Sequence, residues 1–332
     1  MIKLKHIFAQ IKYDLIGKDS QRGVTLTYSW MANQFGHFGL GFIPTAIIYV
    51  SIGYQRADGV NAWPAAGVAL FWLAFEIFNF VKSVFNNRDK SEFKPEWKNV
   101  MGDTALDVLF FAFGAFTAGA IFTHGLWMII AAFVLAGIVL IPTPFWFKTK
   151  MFQQEARFPF QFRISQWSRP ITPDNKAVVK NFLDYSGHGK HLLIFGQNGS
   201  GKTSLSVAMA NEKAIKRKPV LYITCFKLLS AFSFVDPDRD KRGSIWEWRD
   251  AEFLIIDDVN PELQHMHELI SPDTFFRLLN EGHAFGDANL KALQRANVIW
   301  VLGVDSTQHD VHKAWELALR SHGIQDVTCL CF

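Results

Sequence analysis

The sequence predicts a chain in two parts: an all-α, four-helix membrane-spanning region, then an α/β domain built on a parallel sheet. Three observations predict it. Residues 1–150 hold four apolar stretches, each near the roughly 20 residues that cross a bilayer. A short apolar run, His191–Phe195, leads into a glycine-rich loop that a helical pattern follows. A later apolar run, Phe253–Ile256, ends in two adjacent carboxylates, Asp257 and Asp258.

With 332 residues the chain has room for two domains of ordinary size. Charge divides unevenly between them. Residues 1–150 carry 13 Lys/Arg against 9 Asp/Glu, whereas residues 151–332 carry 21 of each, so the net +4 belongs to the first part. A neutral second part lacks the electrostatic footprint of a general nucleic-acid binder. Nucleic acid stays open as a partner, without support from charge. Cys225, Cys329 and Cys331 are too few and too poorly spaced for a disulfide framework, which points to a reducing cytoplasm for that part.

The four expected spans are Phe35–Tyr54, Trp63–Phe85, Thr104–Phe122 and Gly125–Phe147. A short loop with Asp58 and Gly59 separates the first two. The last two are joined near Thr123, His124 and Gly125, which predicts an antiparallel hairpin. Basic residues fix the expected orientation. Lys3, Lys5, Lys12, Lys18 and Arg22 precede the first span; Lys82, Arg88, Lys90, Lys94 and Lys98 lie between the second and third; Lys148, Lys150 and Arg157 follow the fourth. The other two loops hold only Arg56. The positive-inside rule then places both termini in the cytoplasm and the chain in the inner (cytoplasmic) membrane, with the bilayer as a partner.

Residues 1–30 read as a cytoplasmic amphipathic segment, because Leu4, Ile7, Phe8, Ile11 and Leu15 share one helical face. Two readings stand: a helix on the inner leaflet, or one packed on the following domain. Residues 31–148 hold the spans. Inside them Asn33, Gln34, His37, Glu76, Asn79 and Asp107 are polar. They read either as hydrogen-bonding groups that hold the bundle together or as an ion, proton or ligand site. Gly114, Ala115, Ala118 and Gly119 offer a close-packing face, within the bundle or between protomers.

Residues 149–173 form the expected juxtamembrane linker. Phe152, Phe158, Phe160, Phe162 and Trp167 are interleaved with Arg157, Arg163 and Arg169, and prolines 159, 170 and 173 interrupt any long helix. Stacking on single-stranded nucleic acid and interfacial anchoring both use such a composition. Residues 174–332 form the expected α/β domain, opening with a helix over Lys176–Tyr185 capped by Asp174.

The loop itself reads Gly196, Gln197, Asn198, Gly199, Ser200, Gly201, Lys202, Thr203, with Ser204 beginning the helical pattern. Glycines let backbone N–H groups turn inward around phosphates, Lys202 suits the β/γ-phosphates of ATP, and Thr203 suits Mg²⁺. A strand is expected over Val220–Cys225. In the next strand, Asp257 suits the Mg²⁺ shell and Asp258 suits orienting the attacking water. A fourth strand, Asn297–Val304, ends in Asp305, Ser306 and Thr307. A helix over His309–Ser321 precedes a last strand, Asp326–Cys331. Asp236–Arg249 reads as an exposed charged loop. Histidines 309 and 312 have no third metal ligand near them in sequence, and read as surface residues.

Residues 174–332 resemble the helicase-loader and transposition-helper branch of the AAA+ ATPases (DnaC/IstB type). The resemblance is carried by His191–Thr203, Val220–Thr224 with Lys227–Leu229, Leu254–Asp258, Phe275–Asn280, and Ala318–Arg320 before the last strand. It covers about half the chain and implies a P-loop NTPase sheet in strand order 5-1-4-3-2. It also implies homo-oligomers with ATP at subunit interfaces, and Arg320 acting as an arginine finger on a neighbour's ATP. Lys202, Asp258 and Arg320 are then the catalytic set, Thr203 and Asp257 the metal ligands. Two departures stand out: Asp305 sits where that branch carries a neutral sensor residue, and four spans precede the domain. The function expected is a membrane-anchored ATPase working on a protein client or DNA, or an ATP-regulated membrane effector. A scaffold that binds ATP with little hydrolysis is the third reading.

Overall fold

The structure is a computed structural model, and it describes residues 2–16, 24–52, 62–87, 92–233, 245–259, 270–280, 285–303 and 311–332. Asp305–Thr307, His309, Arg56, Asp58, Gly59, Lys18, Arg22, Arg88, Lys90 and residues 236–244 of the charged loop lie outside the described residues. Packing divides the chain into two units: Ile7–Lys150, and Met151–Phe332 together with Met1–His6.

The first unit is helical. Its elements are α1 (Leu4–Ile16, from Ile7 on), α2 (Leu26–Ser51), α3 (Trp63–Asn87), α4 (Trp97–Thr123), α5 (Leu126–Leu140) and α6 (Thr143–Glu155, as far as Lys150). Three described stretches combine the length and hydropathy of a membrane span: Trp63–Phe85, Trp97–Thr123 and Leu126–Glu155. Four were expected, so the count is corrected to three. At 26 residues α2 has the length. What it lacks is apolarity: Ser29, Asn33, Gln34 and His37, with Gly36, Gly39 and Gly41, dilute the window.

The α4–α5 hairpin turns where the sequence indicated. His124 takes a left-handed conformation (φ 51°) at the end of α4, and the Gly125 N–H donates to Thr123 Oγ1 at 3.1 Å. Helices α2 and α4 run alongside each other with their backbones in close approach. A Cβ on Gly41 would strike the Phe111 carbonyl, and one on Gly114 would strike the Phe38 carbonyl. Small residues let two helices reach this distance and gain dispersion energy along the whole seam. Pro44 lies inside α2 and cannot donate to the Leu40 carbonyl. The Trp72 indole of α3 donates there instead, at 3.0 Å.

Asp14 fixes the end of α1. It is buried, and it accepts from Thr25 Oγ1 at 2.7 Å, Thr27 Oγ1 at 2.6 Å and Gln10 Nε2 at 2.8 Å. Thr25 is also the N-cap of α2, accepting from the Tyr28 N–H, so one carboxylate joins two helix ends. Leu4, Phe8 and Leu15 remain exposed on α1.

The second unit is an α/β domain. Its elements in chain order are α7 (Pro173–Asp184), β1 (Lys190–Gly196), α8 (Lys202–Ile215), β2 (Val220–Thr224), α9 (Cys225–Ser230), β3 (Phe253–Asp257), α10 (Pro272–Asn280), α11 (Gly286–Arg295), β4 (Asn297–Gly303), α12 (Val311–Ser321) and β5 (Asp326–Cys331). The strands form one parallel sheet in the order β2-β3-β4-β1-β5, which is the expected order read from the other edge. Strands β1, β3 and β4 are buried along nearly their whole length, as their unbroken apolar runs require of interior parallel strands. The N-cap of α7 is Thr172, which accepts from the Asn175 N–H, in place of the expected Asp174. Pro173 then fills the first helical position, where a missing N–H costs nothing.

Phe275, Trp300 and Trp315 form the centre of one core face, with ring centroids 5.3–5.7 Å apart. Beside them His191 is fully buried in β1. Trp300 Nε1 donates to its Nδ1 at 3.0 Å, and its Nε2 lies 3.1 Å from the Leu293 carbonyl. Burial pushes its pKa down to about 3, so the ring is neutral.

Candidate functional site

The site is built at the carboxyl ends of β1 and β3, the edge where open parallel sheets hold ligands. Strand β1 delivers the glycine-rich loop, and α8 begins within it at Lys202. Gly201 is the N-cap of α8 with φ 102°, and Gly199 has φ 75°. Both lie in the left-handed region that favours glycine. At Gly201 there is a second constraint: a Cβ would come within 2.8 Å of the Trp167 ring and 3.3 Å of Arg169 Nη1. Lys202 is nearly buried, and its ammonium donates to the Gly196 carbonyl at 2.6 Å and the Gln197 carbonyl at 2.7 Å. The lysine thus folds back over the start of its own loop.

Strand β3 delivers the carboxylates. Asp257 is buried, and three donors surround it: the Tyr222 hydroxyl at 2.7 Å, the Asp258 N–H at 2.9 Å and the Thr203 hydroxyl at 3.3 Å. Thr203 and Asp257 are therefore brought together from elements 54 residues apart. Asp258 is the exposed partner. Its backbone is left-handed (φ 54°), which turns the chain as it leaves the sheet. Partial burial, and then the neighbouring Asp257, raise the Asp258 pKa above the usual carboxylate range. The Tyr222 phenol is pushed far up by burial and by its bond to Asp257, so it stays a donor. Cys225, whose thiol is pushed up to about 12 by burial and by Asp258, is no nucleophile.

Residues 151–169 pack against this machinery. Gln153 Nε2 donates to Asn211 Oδ1 at 2.8 Å, and Asn211 Nδ2 donates to the Phe162 carbonyl at 3.0 Å. Arg163 pairs with Glu212 at 2.8 Å. Asn211 and Glu212 are buried on α8, so a residue pair in the middle of the loop's own helix holds this segment. The Tyr222 N–H donates to the Ala156 carbonyl at 2.8 Å. Phe152 and Trp167 are buried in this unit, and Arg169 Nη1 donates to the Gly199 carbonyl at 2.6 Å. Trp167 also meets Phe332, with ring centroids 5.7 Å apart.

Arg320 is occupied within its own chain. It donates to Glu316 at 2.9 and 3.1 Å, to the Gln325 carbonyl at 2.7 Å and to the Val327 carbonyl at 3.3 Å. Reaching another subunit would require releasing these bonds. Among the described residues no cluster of three His, Cys, Asp or Glu is arranged to hold a metal, and the three cysteines are free.

No protein-family model matches the chain. Part of it is similar to the chromosomal replication initiator protein DnaA of several bacteria. The protein of Caulobacter vibrioides (strain NA1000 / CB15N) is 33% identical over 109 residues, covering 32% of this chain and 22% of that protein. That of Wolinella succinogenes is 32% identical over 103 residues, covering 28% and 20%. That of Caulobacter sp. (strain K31) is 38% identical over 88 residues, covering 25% and 18%. The chain spans about a fifth of the length of these curated relatives. The likeness is at the level of AAA+ ATPases and does not single out the helicase-loader branch. Beside this partial likeness, the described residues show three helices long and apolar enough to cross a membrane and a five-stranded parallel α/β domain.

Three neighbours of the site escaped the sequence reading. Tyr222 lies two residues before the end of β2, and only the in-register pairing of Thr224 with Asp257 brings its side of the strand to the carboxylate. Trp167 and Arg169 lie about 30 residues before the loop they touch, and no local pattern announces that contact. The residues fit a Mg²⁺–nucleotide. A hydroxyl and a buried carboxylate converge at the end of the sheet, beside a buried Ser200 hydroxyl with no hydrogen-bond partner.

Proposed function

We propose that this chain is a membrane-anchored ATPase of the AAA+ type, binding ATP with Mg²⁺ at the loop Gly196–Thr203. The observation that carries the reading is the approach of Thr203 to Asp257, at the mouth of a loop already closed by Lys202. Backbone N–H groups of residues 197–201 and the start of α8 cradle the phosphates, where the helix dipole favours negative charge. Lys202 exchanges its two loop carbonyls for β/γ-phosphate oxygens. Thr203 and Asp257 would hold the metal, which would supply positive charge against the charge developing on the transferred phosphate. Asp258, at the exposed end of β3, orients the attacking water. Its raised pKa reflects a carboxylate with few compensating partners, suited to accept a hydrogen bond from that water.

Arg320 of a neighbouring protomer completes the site in a homo-oligomer, as the helicase-loader resemblance implies. We further infer that the α/β domain faces the cytoplasm, where ATP is available. The relatives are named as chromosomal replication initiators. Residues 151–332 carry equal numbers of acidic and basic side chains, so DNA is not part of this proposal.

Binding of a fluorescent ATP analogue to the detergent-solubilised full chain tests the site. Mg²⁺-dependent binding is expected, weakened at least about tenfold in Lys202→Ala, the loss of one charge-assisted contact. Equal affinity in wild type and Lys202→Ala contradicts the reading.

A further inference from the structure

Polar groups converge between α2 and α4, next to the glycine seam that holds the two helices together. Gln34 is almost fully buried, and its Nε2 donates to Asp107 Oδ1 at 3.1 Å. His37 Nδ1 lies 3.7 Å from the same Asp107 oxygen. Two atoms of this group are buried without a hydrogen-bond partner: Gln34 Oε1 and His37 Nδ1. The Phe111 ring lies 4.6 Å from the His37 ring, centroid to centroid, and Trp72 stacks on that phenylalanine at 4.5 Å. Apolar rings thus wall the cluster.

The backbone contact at Gly41 and Gly114 denies these helices the freedom to separate and hydrate the unpartnered atoms. A buried polar atom without a partner is destabilising, and more so in a medium of low dielectric. The set offers one carboxylate, one imidazole and one amide. That is too few ligands for a metal ion, and no three-residue metal cluster exists among the described residues. It does suit a proton held between two bases.

We propose that His37 and Asp107, oriented by Gln34, form a binding site for a single proton between α2 and α4. Protonation forms one N–H bond, with the proton drawn from solvent and nothing oxidised or reduced. It gives His37 Nδ1 a donor beside the Asp107 carboxylate and turns an unpartnered nitrogen into half of an ion pair. The charged groups that act on the pair from surrounding elements are Asp103 on α4, Glu76 on α3 and Lys150 on α6. Helix α5, which also packs on α4, carries no titratable side chain. The inference stands on the helical unit alone and does not depend on the nucleotide reading.

Magnetic resonance of ¹⁵N-histidine in the full chain, reconstituted in lipid nanodiscs, tests it. The His37 signals are assigned by their loss in His37→Gln. As pH falls from about 8 to about 5, the range in which imidazoles titrate, the ring is expected to change from neutral to imidazolium in one step. In Asp107→Asn that step should vanish from the range. A His37 ring that stays neutral throughout in the wild type overturns the proposal, as does a step unchanged in Asp107→Asn. Should Asp107→Asn fail to fold, infrared spectra of the wild type and His37→Gln with ¹³C-labelled aspartate decide. A carboxyl band absent from His37→Gln that changes with the same midpoint as the ring supports the shared proton; no such band overturns it.

Discussion

The Tyr222 hydroxyl donates to Asp257 Oδ2 at 2.7 Å while the Tyr222 backbone N–H donates to the Ala156 carbonyl at 2.8 Å. One residue of an edge strand therefore binds both the Asp257 carboxylate and the segment that follows the last apolar helix. Tyr222→Phe keeps the ring and removes only the hydroxyl. Outer-shell donors of this kind typically contribute 10–100-fold to metal affinity. The Mg²⁺ concentration for half-maximal nucleotide binding should rise about tenfold, with the melting temperature nearly unchanged. A metal titration monitored by a fluorescent nucleotide measures it.

Arg169 braces the tip of the loop through the Gly199 carbonyl. A hydrogen bond from a charged donor contributes about 1.5–3 kcal/mol, so Arg169→Ala should weaken nucleotide binding on the order of tenfold. Gly201→Ala should be worse, because the new methyl group meets the Trp167 ring on a backbone that disfavours it. Affinities of both variants measured against wild type check the order.

Arg320 poses a choice between two roles, and its bonds to Glu316, Gln325 and Val327 define the cost of the catalytic one. If it serves a neighbour, Arg320→Ala should lower turnover by about 10³ or more. Mixing it with Asp258→Asn subunits should then restore part of the activity, since each variant supplies what the other lacks. A loss of stability with turnover reduced only in proportion to folded protein assigns it to its own chain.

His191 makes the fold sensitive to acid. Its folded pKa of about 3 lies below the ordinary 6.5, so the unfolded chain binds the extra proton. The stability this neutral ring contributes is intact above pH 6.5 and declines as pH falls from 6.5 toward 3. The total is on the order of 5 kcal/mol. His191→Gln should be less stable at pH 7.5, through lost bonds to Trp300 and Leu293, but with a flatter pH dependence. Thermal unfolding of both proteins across that range, followed by tryptophan fluorescence, checks the slope.

The sheet was legible because each strand is a run of apolar residues bounded by Pro, Gly or Asp, and because strand–loop–helix around Gly196–Thr203 has a periodicity of its own. The membrane region was legible in three of four stretches. For α2, length and polar content pointed in different directions, and the glycine seam with α4 became visible only when Gly41 met Phe111 and Gly114 met Phe38. The segment 151–169 was misleading in another way. Its alternating aromatic and basic residues match a lipid interface, whereas Phe152 and Trp167 are buried in the α/β unit and Arg163 and Arg169 bind α8 and its loop. Those contacts join residues 30–50 positions apart, and local pattern carries no information at that range.

Mg²⁺-dependent ATP hydrolysis by the full chain reconstituted in lipid is the most direct measurement. Wild type should turn over ATP, Lys202→Ala should lose both binding and turnover, and Asp258→Asn should retain nucleotide while losing turnover. A wild-type protein that neither binds nor hydrolyses ATP, or hydrolysis that persists in both variants, contradicts the function assigned to the loop Gly196–Thr203.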